Sequence, residues 1–504
     1  MKKLFIVIIG AVVLVLSSCS KKTPDFVHSI PDDAIAVATI NPMQLHTKSK
    51  ITTFESIKEK VKDEAWQQIL EDPLSTGLMM NEYVYVFVKM EEQAPLIGVV
   101  AGMKDVGKFE TTLGKLKQGI QDEFQTSDTY TWIRPDEEGI IAWNDKEAIV
   151  LVSPDNDELA TPYFTGTLDK MFDPVKEESI TSMVDFKDFL GKMKDINLWV
   201  SSNDVFDLLK KVTHESIPDI PVALYHNYAQ IFVDFADGEL DINGETHFSE
   251  EVEKNIEEFL VMKPELNQDL LNMAPGGNLL LALAGSIDLE KTKNMIDKFA
   301  PPELDSVGNK VEKATGMEME DLLKAITGDF VVSVNGIEGE AMIPLEVFVG
   351  VGVNGKALQE KLMQAVEGMA PLEEEGDFFI MNMQGNEIYI GIVNNVLVIT
   401  NSKGYKDAIE SGSHPTPLKS SRFGDFAGGS MGLYLNLDLS QYPAMVQGLI
   451  SQKPQRQEWV QHLTEPFDYL GISAGNYKNR MVLKTSTPGE NSLYTIMKMI
   501  DQGE

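Results

Sequence analysis

Two spacings of apolar residues alternate along the chain. Runs such as "VYVFVKM" (84–90), "PLIGVVAG" (95–102), "LLLALAG" (279–285) and "LEVFVGVGV" (345–353) are β-like and bounded by turn residues, which predicts strands. Between them, Phe109, Leu113, Leu116 and Ile120 recur at i, i+4, i+7 and i+11, as do Leu358, Leu362, Ala365 and Met369. Each set predicts one face of a helix. Gly119 and Gly368 stand near the expected helix ends, where glycine is favoured. Asn394-Asn395 and Asn335-Gly336 predict tight turns and antiparallel pairing. The expected elements are a strand at 34–40 or 278–284, helical sequence at 49–71 or 288–326, and a hairpin at 83–90 with 95–103 or 330–335 with 344–352. A helix at 106–120 or 355–369 follows, then further strands, and each half closes on a hairpin and a last helix. The fold class is α+β, an antiparallel sheet with helices packed on it.

The paired ranges reflect internal similarity. "PDDAIAVATINPMQL" at 31–45 lies over "PGGNLLLALAGSIDL" at 275–289, and "IGVVAGMKDVGK" at 97–108 lies over "LEVFVGVGVNGK" at 345–356. Residues 138–153 match 386–401, "NLWVS" matches "GLYLN", and 228–248 match 469–488, all in the same order. These matches predict a tandem duplication of a unit of about 230 residues. The expected division is a signal peptide at 1–18, an anchor linker at 19–29, a first repeat at 30–266 and a second at 267–504, with the boundary near 262–272.

Charge narrows the partners. The chain has 43 basic and 78 acidic residues, a net of −35. It repels phosphate backbones, so nucleic acid is not an expected partner. An apolar fraction of 43% is enough for large cores. Cys19 is the only cysteine, which excludes a disulfide framework and a cysteine zinc site.

The Gly350-x-Gly352-x-x-Gly355 string has the spacing of a dinucleotide turn. The first half carries Gly102, Lys104 and Gly107 at the aligned places, so the middle glycine that a pyrophosphate needs is not kept. The preceding strand also belongs to a hairpin. The string therefore reads as a strand-to-helix turn, and no nucleotide or other cofactor is expected. "ELDINGETHFSE" approximates a calcium loop through Glu239, Asp241, Asn243, Gly244 and Glu250. Leu240, Ile242 and Phe248 alternate with Glu239, Asp241 and His247, so a strand with an acidic outer face is expected instead. The seven histidines show no H-x-x-x-H or H-x-H spacing, and no metal site is expected. Asp155, Asn156 and Asp157 read as a solvated turn, and the 24 methionines as flexible core filling. There is no G-x-S-x-G elbow, and no catalytic residue can be assigned.

The N-terminus carries Lys2 and Lys3, an apolar run from Leu4 to Leu16, and "LSSC" at 16–19. The run is too short to span a membrane and fits a secretory signal. The ending resembles the lipobox of bacterial lipoproteins. That resemblance implies cleavage before Cys19 and lipid modification of it. Ser20 stands where an inner-membrane retention signal would have Asp, and no acidic cluster follows. The expectation is an outer-membrane lipoprotein facing the periplasm. Asp305-Ser306-Val307 is similar to an O-glycosylation acceptor of exported proteins in Bacteroidota, which makes Ser306 a candidate. With "SIPDDAIAVATINPMQL", "GDFVVSVNG" and "SRFGDFAGG", the chain resembles a family of uncharacterised lipoproteins from Bacteroidota. The resemblance implies no catalytic residues.

The functional expectation is a lipid-anchored, non-enzymatic binding or scaffolding protein of the cell envelope, with an envelope protein or glycan as partner. The alternative is an envelope hydrolase or glycan-processing enzyme working through carboxylates. Two buried carboxylates facing each other across a cleft would favour the enzyme. A sheet surface lined with apolar residues would favour binding.

Overall fold

In the first unit, Met1–Asp234, the β-like runs form β1 (Ala34–Ile40), β2 (Val84–Met90), β3 (Pro95–Gly102), β4 (Gln125–Thr126), β5 (Thr131–Ile133), β6 (Gly139–Trp143), β7 (Glu147–Val152), β8 (Ile196–Ser201) and β9 (Tyr228–Ala236), whose last residues reach the division. They pair antiparallel in the order β4-β5-β6-β7-β3-β2-β1-β8-β9. A computed structural model describes residues 23–502 apart from 91–94, 118, 136–138, 154–160, 202–226, 258–259, 300–316, 338–343, 367–371, 384–385, 414–415 and 452–463.

One face of this sheet is a core. Val37, Tyr85, Phe87, Val100, Ile149, Leu151 and Trp199 are buried there against Phe164 and Leu168 of helix Thr161–Phe172 and Phe186 and Phe189 of helix Val184–Lys192. Each such side chain contributes about 1.5–3 kcal/mol on burial. A 3-10 helix at Asp25–Ser29 joins the same core, burying Phe26 and Val27. The later part of the 19–29 stretch is thus folded, because it carries apolar residues that the sheet can cover. Helix Val106–Leu116 is capped by Asp105, whose Oδ1 accepts from Lys108 N at 3.0 Å, and it buries Phe109 and Leu113. It stops before the expected 120. Gly119 is left-handed, with φ 84, but it heads the next 3-10 turn. The helical stretch expected at 49–71 is broken. Lys50 takes a left-handed φ of 49, and Asp63 caps a fresh helix at Glu64–Glu71.

The second unit, Phe235–Glu504, contains β10 (Glu239–His247), β11 (Leu279–Ser286), β12 (Ile326–Gly336), β13 (Leu345–Val353), β14 (Leu372–Glu375), β15 (Phe378–Met383), β16 (Asn386–Val393), β17 (Val396–Thr400), β18 (Met431–Asn436), β19 (Phe467–Ala474) and β20 (Lys478–Thr485). The antiparallel order is β14-β15-β16-β17-β13-β12-β11-β18-β19-β20-β10. Adding ten to each label of the first order gives the second, as far as β19. β10 is grouped with the second unit, where it pairs along its length with β20. Ala282, Val331, Phe348, Tyr434 and Val482 build the core on one face.

β13 is antiparallel to both β12 and β17, so the glycine string sits outside any parallel β-α-β unit. Its Gly355 takes φ 95 at the turn into helix Ala357–Val366. Asn394 and Asn395, at φ 52 and 61, form the expected tight turn between β16 and β17. Three strand glycines face a phenylalanine directly: Gly98 and Phe87, Gly285 and Phe330, Gly391 and Phe378. Each ring roofs its glycine, and an added Cβ would lie 2.1, 2.5 and 2.7 Å from the nearest ring atom.

Candidate functional site

Strand side chains alternate between faces, so the residues that skip the core define a second face. In the second unit that face is aliphatic. Register aligns it into two ladders crossing β13, β12, β11, β18, β19, β20 and β10. One ladder is Val347, Val334, Leu281, Leu435, Leu470, Leu483 and Leu240. Its neighbour is Val349, Val332, Leu283, Leu433, Ile472, Met481 and Ile242. Six strand spacings of about 4.8 Å make each about 29 Å long. No charged or hydrogen-bonding side chain interrupts either ladder. All of these residues are half-buried, and none belongs to a buried core cluster.

The first unit carries the same kind of face. Val150, Val99, Val86, Ala38, Leu198 and Ile231 form a ladder across β7, β3, β2, β1, β8 and β9. Its last member, Ile231, is 39% exposed. A contiguous aliphatic surface of this extent marks an interaction site more often than a bare surface. The signal was present in the sequence. Strands such as "LLLALAG" and "AIVLV" are apolar at successive positions, as expected when both faces are to be covered.

Charged groups lie elsewhere. Glu239 and Asp241 of β10, expected on an acidic outer face, and Glu245 further along the strand each meet a cation of β20. Lys484 Nζ is 3.1 Å from Glu239, and the Arg480 guanidinium bonds both oxygens of Asp241 at 3.2 and 3.1 Å. The calcium-like spacing is one side of a charge-paired strand ladder. Beside it lies a groove of about 1000 Å³. Its walls mix Glu250, Glu253 and Glu257 with Lys254 and Lys291 around Tyr477. Burial, together with Glu253 and Glu257, pushes the Tyr477 phenol above its ordinary range.

The buried carboxylates among the described residues are Glu147, Asp195 and Asp329, each with its own partner. Lys48 Nζ is 2.6 Å from Asp195, and Lys263 Nζ is 3.0 Å from Asp329. Glu147 instead accepts from Ser29 Oγ at 2.5 Å. Burial pushes its carboxyl up to about 7, against the opposing pull of Ser29 and Lys146. This arrangement is not the facing pair that the enzyme reading requires. No group of three or more His, Cys, Asp or Glu able to hold a metal ion occurs among the described residues. Cys19, Ser306 and the Asp155–Asp157 turn lie outside the described residues. Among the described residues, no helix is long and apolar enough to cross a membrane.

Comparison with solved structures finds crystal form I of TP0453 at 9% identity and a TM-score of 0.28, covering 49% of this chain and 90% of that one. Crystal form III of TP0453 matches at 10% identity and a TM-score of 0.28, with the same coverage. At these scores the likeness carries no weight for fold or function. No curated protein matches the chain. A domain of unknown function, DUF4836, matches residues 26–493, nearly the whole of the folded sequence, and the chain accordingly belongs to the DUF4836 family.

Proposed function

We propose that this protein is a lipid-anchored, non-enzymatic component of the cell envelope that binds a long-chain aliphatic ligand on its sheet face. The pair of uncharged aliphatic ladders across seven strands of the second unit carries the reading. Two adjoining ladders without charged or hydrogen-bonding side chains select a neutral aliphatic surface. The net charge of −35 opposes both self-association and adhesion to anionic headgroups. The tether is Cys19, and the location is the outer membrane, facing the periplasm. The "LSSC" segment and the signal-like N-terminus support both. Two repeats derived by tandem duplication supply two such faces. The matching strand orders and the ordered sequence similarities support the duplication.

Titration of the purified chain with a fluorescent, uncharged long-chain alcohol tests the binding. Leu283→Lys and Leu433→Lys are expected to abolish the signal while leaving the circular dichroism spectrum unchanged. Unchanged binding in both variants refutes the reading. A concentration-dependent dimer that these substitutions dissolve would assign the face to a second copy instead. Cys19→Ala is expected to leave the membrane fraction, and its retention there would refute the tether.

A further inference from the structure

The chain enters the first unit through a strap fastened by buried side chains distant in sequence. Ser29 and Glu147 are 3% and 4% exposed and 118 residues apart. Next to Ser29, His28 Nδ1 lies 2.5 Å from Thr181 Oγ1. The backbone continues the attachment: Ile180 N donates to Ile30 O at 2.9 Å, and Asp32 N donates to Glu178 O at 3.0 Å. The strap buries Phe26, Val27 and Ile30.

We propose that the Ser29–Glu147 contact is a proton-controlled latch, which holds the strap closed more tightly while Glu147 is protonated and loosens it on ionisation. The surroundings of Glu147 offer little to its charged form. Lys146, its neighbour in sequence, is the cation whose field acts on it. Directly across from it β3 presents Gly102, which has no side chain, and Lys104 lies two residues further on. The β6–β7 turn adds Asn144, whose Oδ1 accepts from Glu147 N, and Asp145, which bears the same charge as a carboxylate. The strap brings Asp25 and His28, and His28 is engaged by Thr181. Among the described residues, Ser29 supplies the one side-chain hydrogen bond to the carboxylate. A buried carboxylate with a single neutral donor is costly, whereas the neutral acid shares that bond without penalty.

Opening the strap hydrates Glu147 and returns it to ordinary carboxyl behaviour. The closed state holds its proton up to about 7, against a usual 4.5, so it is favoured at low pH and loses favour as pH rises through about 7. Between about pH 5.5 and about pH 8.5 this linkage predicts about a 30-fold rise in the opening equilibrium. With the strap closed, six residue steps separate Cys19 from Asp25, a reach of about 20 Å. Released as far as Ala34, the tether reaches about 50 Å. This consequence rests on Cys19 as the anchor, whereas the latch itself does not.

Hydrogen exchange on the full chain tests it, with rates corrected for the intrinsic pH effect. Protection of Val27, Ile30 and Asp32 amides is expected to fall about 30-fold from about pH 5.5 to about pH 8.5, while strands β1 and β2 keep theirs. Glu147→Gln is expected to keep the strap protected at both pH values. Ser29→Ala, which removes the donor and leaves Glu147 in place, is expected to lower protection at both. Equal protection of the wild type at the two pH values, or a pH dependence that survives Glu147→Gln, would overturn the proposal.

Discussion

The phenylalanine roofs over strand glycines make a sharp prediction about packing. Gly98 on β3 faces Phe87 on β2, and a Cβ at 98 would stand 2.1 Å from two atoms of the ring. Carbon atoms rest at about 3.5–4.0 Å, so the ring must retreat by about 1.5 Å. Phe87 is fully buried, and a close-packed core gives a ring little room to swing. Overpacking of this kind costs about 1–3 kcal/mol, which outweighs the few tenths gained from replacing glycine in a strand. Gly98→Ala is therefore expected to lower the unfolding free energy in urea by about 1–3 kcal/mol. Gly166→Ala provides the control. It sits in helix Thr161–Phe172, its Cβ would meet nothing within 4 Å, and it should stabilise by up to about 1 kcal/mol. If ring overlap is the cause, Phe87→Leu should rescue Gly98→Ala, with a coupling of at least about 1 kcal/mol in a double-mutant cycle. A Gly98→Ala protein as stable as the wild type, or a cycle without coupling, would show that the Phe87 ring does not close over Gly98.

Other outcomes follow from the ion pairs. Burial raises the Asp329 carboxyl, but Lys263, Thr327 and Ser286 together draw it below its usual value. Its stabilisation is present above the unfolded carboxyl range and is lost as pH falls through the lower, folded value. Asp329→Asn should be less stable than wild type near neutrality and should flatten the acid limb of a melting-temperature profile. An unchanged acid limb would contradict this. The Arg480–Asp241 pair is 43% and 21% exposed, so Arg480→Ala should cost no more than about 1 kcal/mol, shrinking further in 1 M salt. A larger, salt-insensitive loss in denaturant melts would mean that the ladder is structurally dominant.

Much of the fold was legible in the sequence because its signals are local. The hairpins at 84–102 and 326–353 announce themselves through β-like runs and turns, and helix Val106–Leu116 through its apolar spacing. Breaks such as Lys50, where one residue turns left-handed inside a polar helical stretch, have no such signal. The candidate face was only half visible. The double-sided apolar runs could be read, but the alignment of Leu281 with Val334 on one side and Leu435 on the other depends on nonlocal pairing. The same limit explains β10. Its acidic positions were clear, but the cations that answer them lie more than 230 residues away, on β20. Nothing near Glu147 in the sequence announces that Ser29 will bury it.

That distant pairing also sets an order of events as the chain is made. Glu239 and Lys484 are 245 positions apart, so the side of β10 that receives β20 stays open until about 240 further residues have emerged. Contacts of such separation form late and slowly, and an open strand edge is the part of a nascent chain most prone to wrong partners. The carboxylates of Glu239, Asp241 and Glu245 repel one another's copies during that wait and attract Lys478, Arg480 and Lys484 when it ends. The charge ladder thus guards the open edge of β10 during synthesis, and maturation of the second unit waits on the arrival of β20.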